Sequence, residues 1–354
     1  MNHRIHGDVQ KPLTHNIKEA RLLTETARAN KMVSQMGNQG ASNPAQVQVQ
    51  EWVNAGLIGK VSEVKVWTNR PVWPQGIPKP QPDPQNKPGN LAWDQWLGPA
   101  SETPYSSSLH PFNWRGWWEY GTGALGDMGC HLIDIPFRAL GLHYPTAVEC
   151  SVGSVYTQMW VAEHLPEGCP PSSLVTLNFD ATEKNQTPIV MTWTDGGIRP
   201  PHPDLIPSTE DIGEPGGGNG VLMIGEHGII STGVYGQYPK LFRKGEETLS
   251  FKKPKSKEPE FGHQRQWIDA IKAGFNSDEH KALTSSFDYS GPLTETVLMG
   301  NIAIRSYLLR KGSNRDMEYY GRKKLLWDGS QMKITNLKDA NQFVGREYRK
   351  GWEL

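Results

Sequence analysis

Residues 126–134 read Gly-Asp-Met-Gly-Cys-His-Leu-Ile-Asp and place three proton-transfer groups at helical spacing. Asp127 and His131 are four apart and His131 and Asp134 three apart, so on a helix all three project to one side. An imidazole set between two carboxylates is oriented by them and has its pKa raised, as a general acid or base requires. The plainer explanation is a capped helix with a buried, hydrogen-bonded His131. A zinc site would need a second converging His, none is evident, and no metal is expected. Just upstream, Gly121-Thr122-Gly123-Ala124-Leu125-Gly126 matches G-x-G-x-x-G. That pattern binds a dinucleotide only where an aliphatic strand feeds the loop into a helix and an acid follows about 20 residues later. Here the preceding residues are Trp114-Arg115-Gly116-Trp117-Trp118-Glu119-Tyr120, which is no buried strand, and the next acids lie inside the helix. The glycines are therefore expected to let backbone approach a bound substrate or cofactor closely.

The elements that must position these groups follow from periodicity. Residues 8–12 end a short extended run, and Thr14 to Asn16 offer capping side chains for a helix from Ile17, with Ile17, Ala20, Leu23 and Ala27 on its apolar face. A strand over 31–36, the loop from Gly37 to Gly40 and a helix over 44–55 with Pro44 in its first turn complete an αβα unit of doubly wound type. Alternation over 61–67 predicts a strand in a different layer. The Pro-rich stretch 71–88 is predicted to be a long irregular excursion. A helix is expected over 126–140, then strands over 147–156, 173–179, 188–194, 220–224 and 228–231, and helices over 263–273 and 292–309. The fold class expected is the remnant of a Rossmann-type domain over 1–60, followed over 61–354 by a larger domain with an open, mainly antiparallel β-sheet flanked by helices.

Composition narrows the partners. Lys plus Arg and Asp plus Glu both number 37 in 354 residues, a formal net charge of +0, without the basic excess that nucleic acid or an anionic membrane would call for. No apolar run approaches the roughly 20 residues of a membrane span, and the N-terminus has no apolar core of a secretory signal. Cys130, Cys150 and Cys169 show no CxxC spacing, which excludes a disulfide scaffold and a four-cysteine zinc site. Thirteen Trp, with 37 Gly and 27 Pro, describe a loop-rich and strongly aromatic chain.

Two segments taken together, Val9-Gln10-Lys11-Pro12-Leu13-Thr14 and Trp114-Arg115 through the 121–134 run, resemble the glucose-fructose oxidoreductase and inositol dehydrogenase (Gfo/Idh/MocA) family, whose pattern is E-K-P, a helix, and later G-G-x-x-x-D-x-x-x-H-x-x-D. The resemblance implies an NAD- or NADP-dependent oxidoreductase of a sugar, glycoside or polyol. It places Lys11 beside the nicotinamide and the substrate hydroxyl, has His131 take or return the hydroxyl proton, and has Asp127 position the sugar. Asn38, Gln39 and Arg115 become cofactor or substrate contacts, and Trp114, Trp117, Trp118 and Asp134 substrate contacts. Gln10 stands where the family has Glu. The family's βαβ units ahead of Lys11, about 30 residues each and carrying the Gly-rich turn, are missing. A truncated product, a mis-called start and a member that binds the cofactor differently all fit, and the chain as given is expected to hold NAD(H) weakly or not at all. An NAD-dependent glycosidase and a non-catalytic sugar-binding subunit are the alternatives. A homo-oligomer through the β-sheet face is expected.

Overall fold

The computed structural model describes residues 5–251, 262–312 and 316–353. Its N-terminal unit is β1 (Gly7–Val9), α1 (Ile17–Ala29) and β2 (Ser34–Met36), with β1 and β2 paired in parallel, Gly7 opposite Ser34 and Val9 opposite Met36. The helix starts at Ile17 because Asn16 caps it. The Asn16 side chain accepts from the Glu19 amide at 3.0 Å, and the Glu19 carboxylate accepts from the Asn16 amide at 3.3 Å. Pro44 opens α2 (Pro44–Asn54), which Asn43 caps and which gives way to Gly56 at φ 67°.

Then come β3 (Val61–Trp67) and the excursion, where residues 71–88 hold nothing more regular than a 3-10 turn at Pro84–Asn86, and α3 (Trp93–Leu97). The single helix expected over 126–140 is two, α4 (Gly123–Leu132) and α5 (Asp134–Ala139). Pro136 accounts for the break, since it has no N–H for the Leu132 carbonyl and its ring crowds that oxygen. The strand expected over 147–156 is likewise divided into β4 (Ala147–Val152) and β5 (Tyr156–Gln158), the latter in a small hairpin with β6 (Val161–Ala162). After these run β7 (Ser173–Phe179), β8 (Ile189–Thr194), β9 (Gly220–Gly225), β10 (Gly228–Thr232), β11 (Lys240–Arg243) and β12 (Leu249–Ser250). The chain closes with α6 (His263–Ala273), α7 (Asp278–Lys281), α8 (Phe287–Tyr307), β13 (Leu325–Asp328) and β14 (Lys333–Ile334). Helix α8 begins five residues before the expected 292, because the Tyr289 and Ser290 amides close its first turn on the Ser286 carbonyl and Pro292 is carried inside.

Ten strands form one sheet in the order β12-β11-β10-β9-β3-β8-β7-β4-β13-β14, antiparallel except where β3 meets β8. Register puts Val66, Trp193, Val175 and Val221 on one face with Val64, Met191, Leu177 and Met223, all at most 1% exposed. Each such side chain contributes about 1.5–3 kcal/mol by leaving water. Helix α8 lies on this face, packed against β4 and β7 on one side and α1 and α4 on the other. It thereby joins the sheet to the β1–α1–β2 unit. Helix α6 packs on the same unit through Val33, Ala270 and Leu283. Among the described residues no helix is long and apolar enough to cross a membrane.

Candidate active site

Lys11 follows the end of β1, where a parallel βα unit presents its ligand-facing edge. Its neighbour Gln10 lies flat on Gly37, whose absent Cβ would sit 2.9 Å from the Gln10 amide carbon. The Lys11 ammonium reaches across to α4 and donates to the Asp127 carbonyl at 2.5 Å and to Asp127 Oδ1 at 3.1 Å. Arg115 Nε donates to the same Oδ1 at 3.2 Å. One carboxylate oxygen thus holds two cations from two different segments, which fixes both heads at the surface of α4. Arg115 leaves the 3-10 turn Asn113–Gly116 with its guanidinium among aromatic rings, 4.5 Å from the centroids of Phe112 and Trp114 and 5.8 Å from that of Trp73.

His131 stands one turn along α4 from Asp127. It is 5% exposed, its Nδ1 is buried with no hydrogen-bond partner, and its ring meets Tyr235 edge to face at 4.8 Å. Tyr235 sits in the turn after β10 at φ 60°, and Gly40 makes room for it, since a Cβ there would fall 2.4 Å from the ring. The raised pKa expected for His131 is reversed. Burial, with the Lys11 charge in support and Asp127 opposing, lowers it to about 3. The imidazole is therefore neutral at physiological pH, the form that can accept a proton.

Asp134 does not join this group. The helix break turns it to the other side, where it is 1% exposed and accepts from Tyr289 Oη at 2.6 Å, Gln46 Nε2 at 3.0 Å and Arg138 Nη2 at 3.1 Å. The expectation that it touches substrate and flanks His131 is accordingly corrected: it anchors α5 to α2 and α8. Trp117 and Trp118 are 1% and 6% exposed and build the scaffold rather than a sugar platform, leaving Trp114, which is half-buried beside Arg115. Asn38 is fully buried and braces β2 against α4, donating to the Cys130 carbonyl at 3.4 Å and accepting from Ser285 Oγ at 2.5 Å, so its expected cofactor contact is also revised. Gln39 is half-buried at the start of the next turn. The 121–126 glycines approach protein, not ligand. A Cβ on Gly121 would strike the Arg115 backbone at 2.5 Å, and one on Gly123 would meet Cys169 Sγ at 3.0 Å. Sequence reasoning missed Tyr235, Trp73 and Phe112, which come from loops; the only signal for Tyr235 was its flanking Gly233 and Gly236.

Fit to a nicotinamide dinucleotide divides at the middle of that molecule. Lys11, at the strand end, and the unpartnered His131 suit its reactive end. The pyrophosphate needs free amides at a helix N-terminus, and at α1 the Lys18 amide already donates to the Val344 carbonyl at 3.1 Å and the Glu19 amide to Asn16. Among the described residues no three His, Cys, Asp or Glu side chains converge as a metal site.

An open, mostly antiparallel sheet flanked by helices beside a parallel βαβ unit is the architecture of an oxidoreductase class represented among solved structures. An oxidoreductase from Pseudomonas syringae matches at a TM-score of 0.51 and 12% identity over 86% of this chain and 70% of its own. An aldose-aldose oxidoreductase from Caulobacter crescentus complexed with glycerol matches at 0.52 and 12% identity over 86% and 71%. An NAD binding oxidoreductase from Klebsiella pneumoniae matches at 0.51 and 15% identity over 85% and 72%. Residues 44–154 match the family model described as "Oxidoreductase family, C-terminal alpha/beta domain". No curated protein matches the sequence.

Proposed function

We propose that the chain carries the substrate-binding and proton-transfer part of an oxidoreductase acting on a secondary alcohol of a sugar, glycoside or polyol. The observation that supports this most is the meeting of Lys11 and Arg115, from two separate segments, on Asp127 of α4, one turn from His131 on the same helix. Removing hydride from a carbinol needs a group that takes the hydroxyl proton and a cation that steadies the developing alkoxide. Lys11, held by Asp127, is the cation. His131, kept neutral by burial, takes the proton. Arg115 and the half-buried Trp114 beside it receive the rest of the ring, the aromatic face stacking on C–H bonds. A nicotinamide dinucleotide, when bound, supplies the hydride acceptor, with NAD or NADP both consistent with the site. The Caulobacter neighbour's action on aldoses and the Klebsiella neighbour's binding of NAD accord with this reading.

The engaged Lys18 and Glu19 amides at the start of α1 favour a second reading, in which the 354 residues bind a sugar without turning it over. Mass analysis of products from a panel of aldoses, polyols and glycosides, each with NAD⁺ or NADP⁺, separates them. The first reading predicts an oxidised product with matching reduced cofactor. Saturable sugar binding with no product is the outcome of the second, and release of free sugar without net NADH would instead indicate a glycosidase.

A further inference from the structure

Strands β3 and β8, the parallel pair of the large sheet, end beside the candidate active site, and two arginines stand at that end without an acidic partner. Thr68-Asn69-Arg70 leave β3 and Gly196 to Arg199 leave β8. The two segments are tied through their backbones, the Gly196 amide donating to the Arg70 carbonyl at 2.6 Å and the Gly197 amide to that of Thr68 at 3.4 Å. Carboxyl ends of parallel strands are where loops receive ligands. A third segment, the Gly-rich loop 213–219, enters β9 at the same edge, where Gly220 lies opposite Trp67. The Arg199 guanidinium rests on that loop at Gly217, where a Cβ would fall 2.7 Å from Nη1 and φ is 65°. Asn69 Nδ2 comes within 3.0 Å of the corresponding position on Gly218, and Asn69 Oδ1 accepts from Arg70 Nη1. Both cations are thus gathered about two consecutive residues of one loop, which Asn219 fixes by accepting from Thr68 Oγ1 at 2.6 Å.

Neither charge is neutralised. Among the described residues Arg199 makes no ion pair or hydrogen bond, and the Arg70 side chain bonds only to Asn69. The acids of this edge are taken by neutral donors: Glu214 by Asn219 Nδ2 at 2.6 Å, Asp211 by the Gly216 amide at 3.1 Å, and Asp195 by Ser173 Oγ at 2.8 Å and Trp193 Nε1 at 3.0 Å. Arg199 is exposed and Arg70 half-buried, so their N–H groups are open to a ligand. The edge also adjoins the site. Glu214 packs on Gly233, where a Cβ would lie 2.8 Å from its own, two residues before the Tyr235 whose ring meets His131. Arg70 is three residues, at most roughly 11 Å of chain, from Trp73, whose ring centroid is 5.8 Å from Arg115 Cζ.

We infer that this edge binds an oxyanion substituent of the substrate, a carboxylate or a phosphoryl group, through Arg199 and Arg70. A guanidinium is a planar fork matched to two oxygens of such a group. Arg199, its face already laid on backbone, gives up less freedom on meeting one. A neutral hydroxyl in the same place would displace water from two cations without supplying a charge. Resting on the proposal that the site holds a sugar, this narrows its substrates to acidic sugars.

Titration calorimetry on the full chain compares glucuronate and galacturonate with glucose and galactose, and glucose 6-phosphate supplies the phosphoryl arm. An acidic sugar is expected to bind saturably and about tenfold or more tighter than its neutral parent, the gap narrowing as salt is raised. Tighter binding of a uronate identifies a carboxylate, and of glucose 6-phosphate a phosphoryl group. Arg199→Gln and Arg70→Gln should each remove most of that gap while leaving the neutral sugars' affinity and the Tm unchanged. No saturable binding of any acidic sugar, acids no tighter than their parents, or a preference that survives in both variants would overturn the inference. The readout is binding, so a uronate held more tightly than its parent but never oxidised upholds the anion site and counts against oxidoreduction there.

Discussion

Among single residues, the proposed proton transfer depends on His131 being neutral. Its pKa in the fold, about 3, lies below the unfolded value of 6.5. Between those values the unfolded chain binds the extra proton, so stability rises with pH there, is complete above about 6.5 and is lost as the pH falls toward 3. His15, lowered to about 4, acts in the same direction. Urea denaturation between about pH 4 and 7 should therefore show the midpoint falling on acidification, and His131→Phe should flatten that slope. An unchanged slope in the variant would mean that His131 is protonated in the fold. That Asp127 and His131 share one helix was legible from their spacing, whereas Lys11 was marked only by the family resemblance. The sign of the His131 shift was not, since it depends on what encloses the ring: the edge of Tyr235 from a distant turn, and the Lys11 ammonium, which takes up the charge of Asp127.

At the scale of elements, strands with alternation and helices with caps were readable nearly to the residue, as β3, β7, α1 and α6 show. What escaped were the short strands β11 to β14 toward the two ends of the sheet, too brief to carry a period, and the break between α4 and α5, where the Pro136 signal was outweighed by an apolar run on both sides of it. That break separates Asp134 from the site. Asp134→Ala should accordingly cost about 3–5 kcal/mol of stability by leaving the Arg138 guanidinium, only 15% exposed at its side chain, without its carboxylate. The same change should leave the KM of any accepted sugar unaltered in the folded fraction. A variant with native melting and a raised KM would return Asp134 to the substrate site.

For the whole molecule, the ten-stranded sheet has one face filled by α8 and another that is partly open. Register puts Leu174, Val190 and Leu326 together on that second face, each at least 40% exposed, beside Thr176 and Thr192. A second copy of the chain on this face is the expected cover, and Val190→Glu should shift sedimentation from oligomer to monomer without loss of fold. A wild-type monomer at high concentration would contradict it. The chain enters the large sheet at β3, and α8 packs on both α1 and α4, which brings the β1–α1–β2 unit up to α4. This junction is proposed to transfer a proton at a sugar carbinol. The measurement that bears on it most directly is sugar oxidation by wild type and His131→Asn side by side at saturating nicotinamide cofactor, with melting recorded for both. A loss of roughly 10² to 10⁴ in turnover at undiminished Tm is the predicted result; equal turnover in the two proteins would contradict the account.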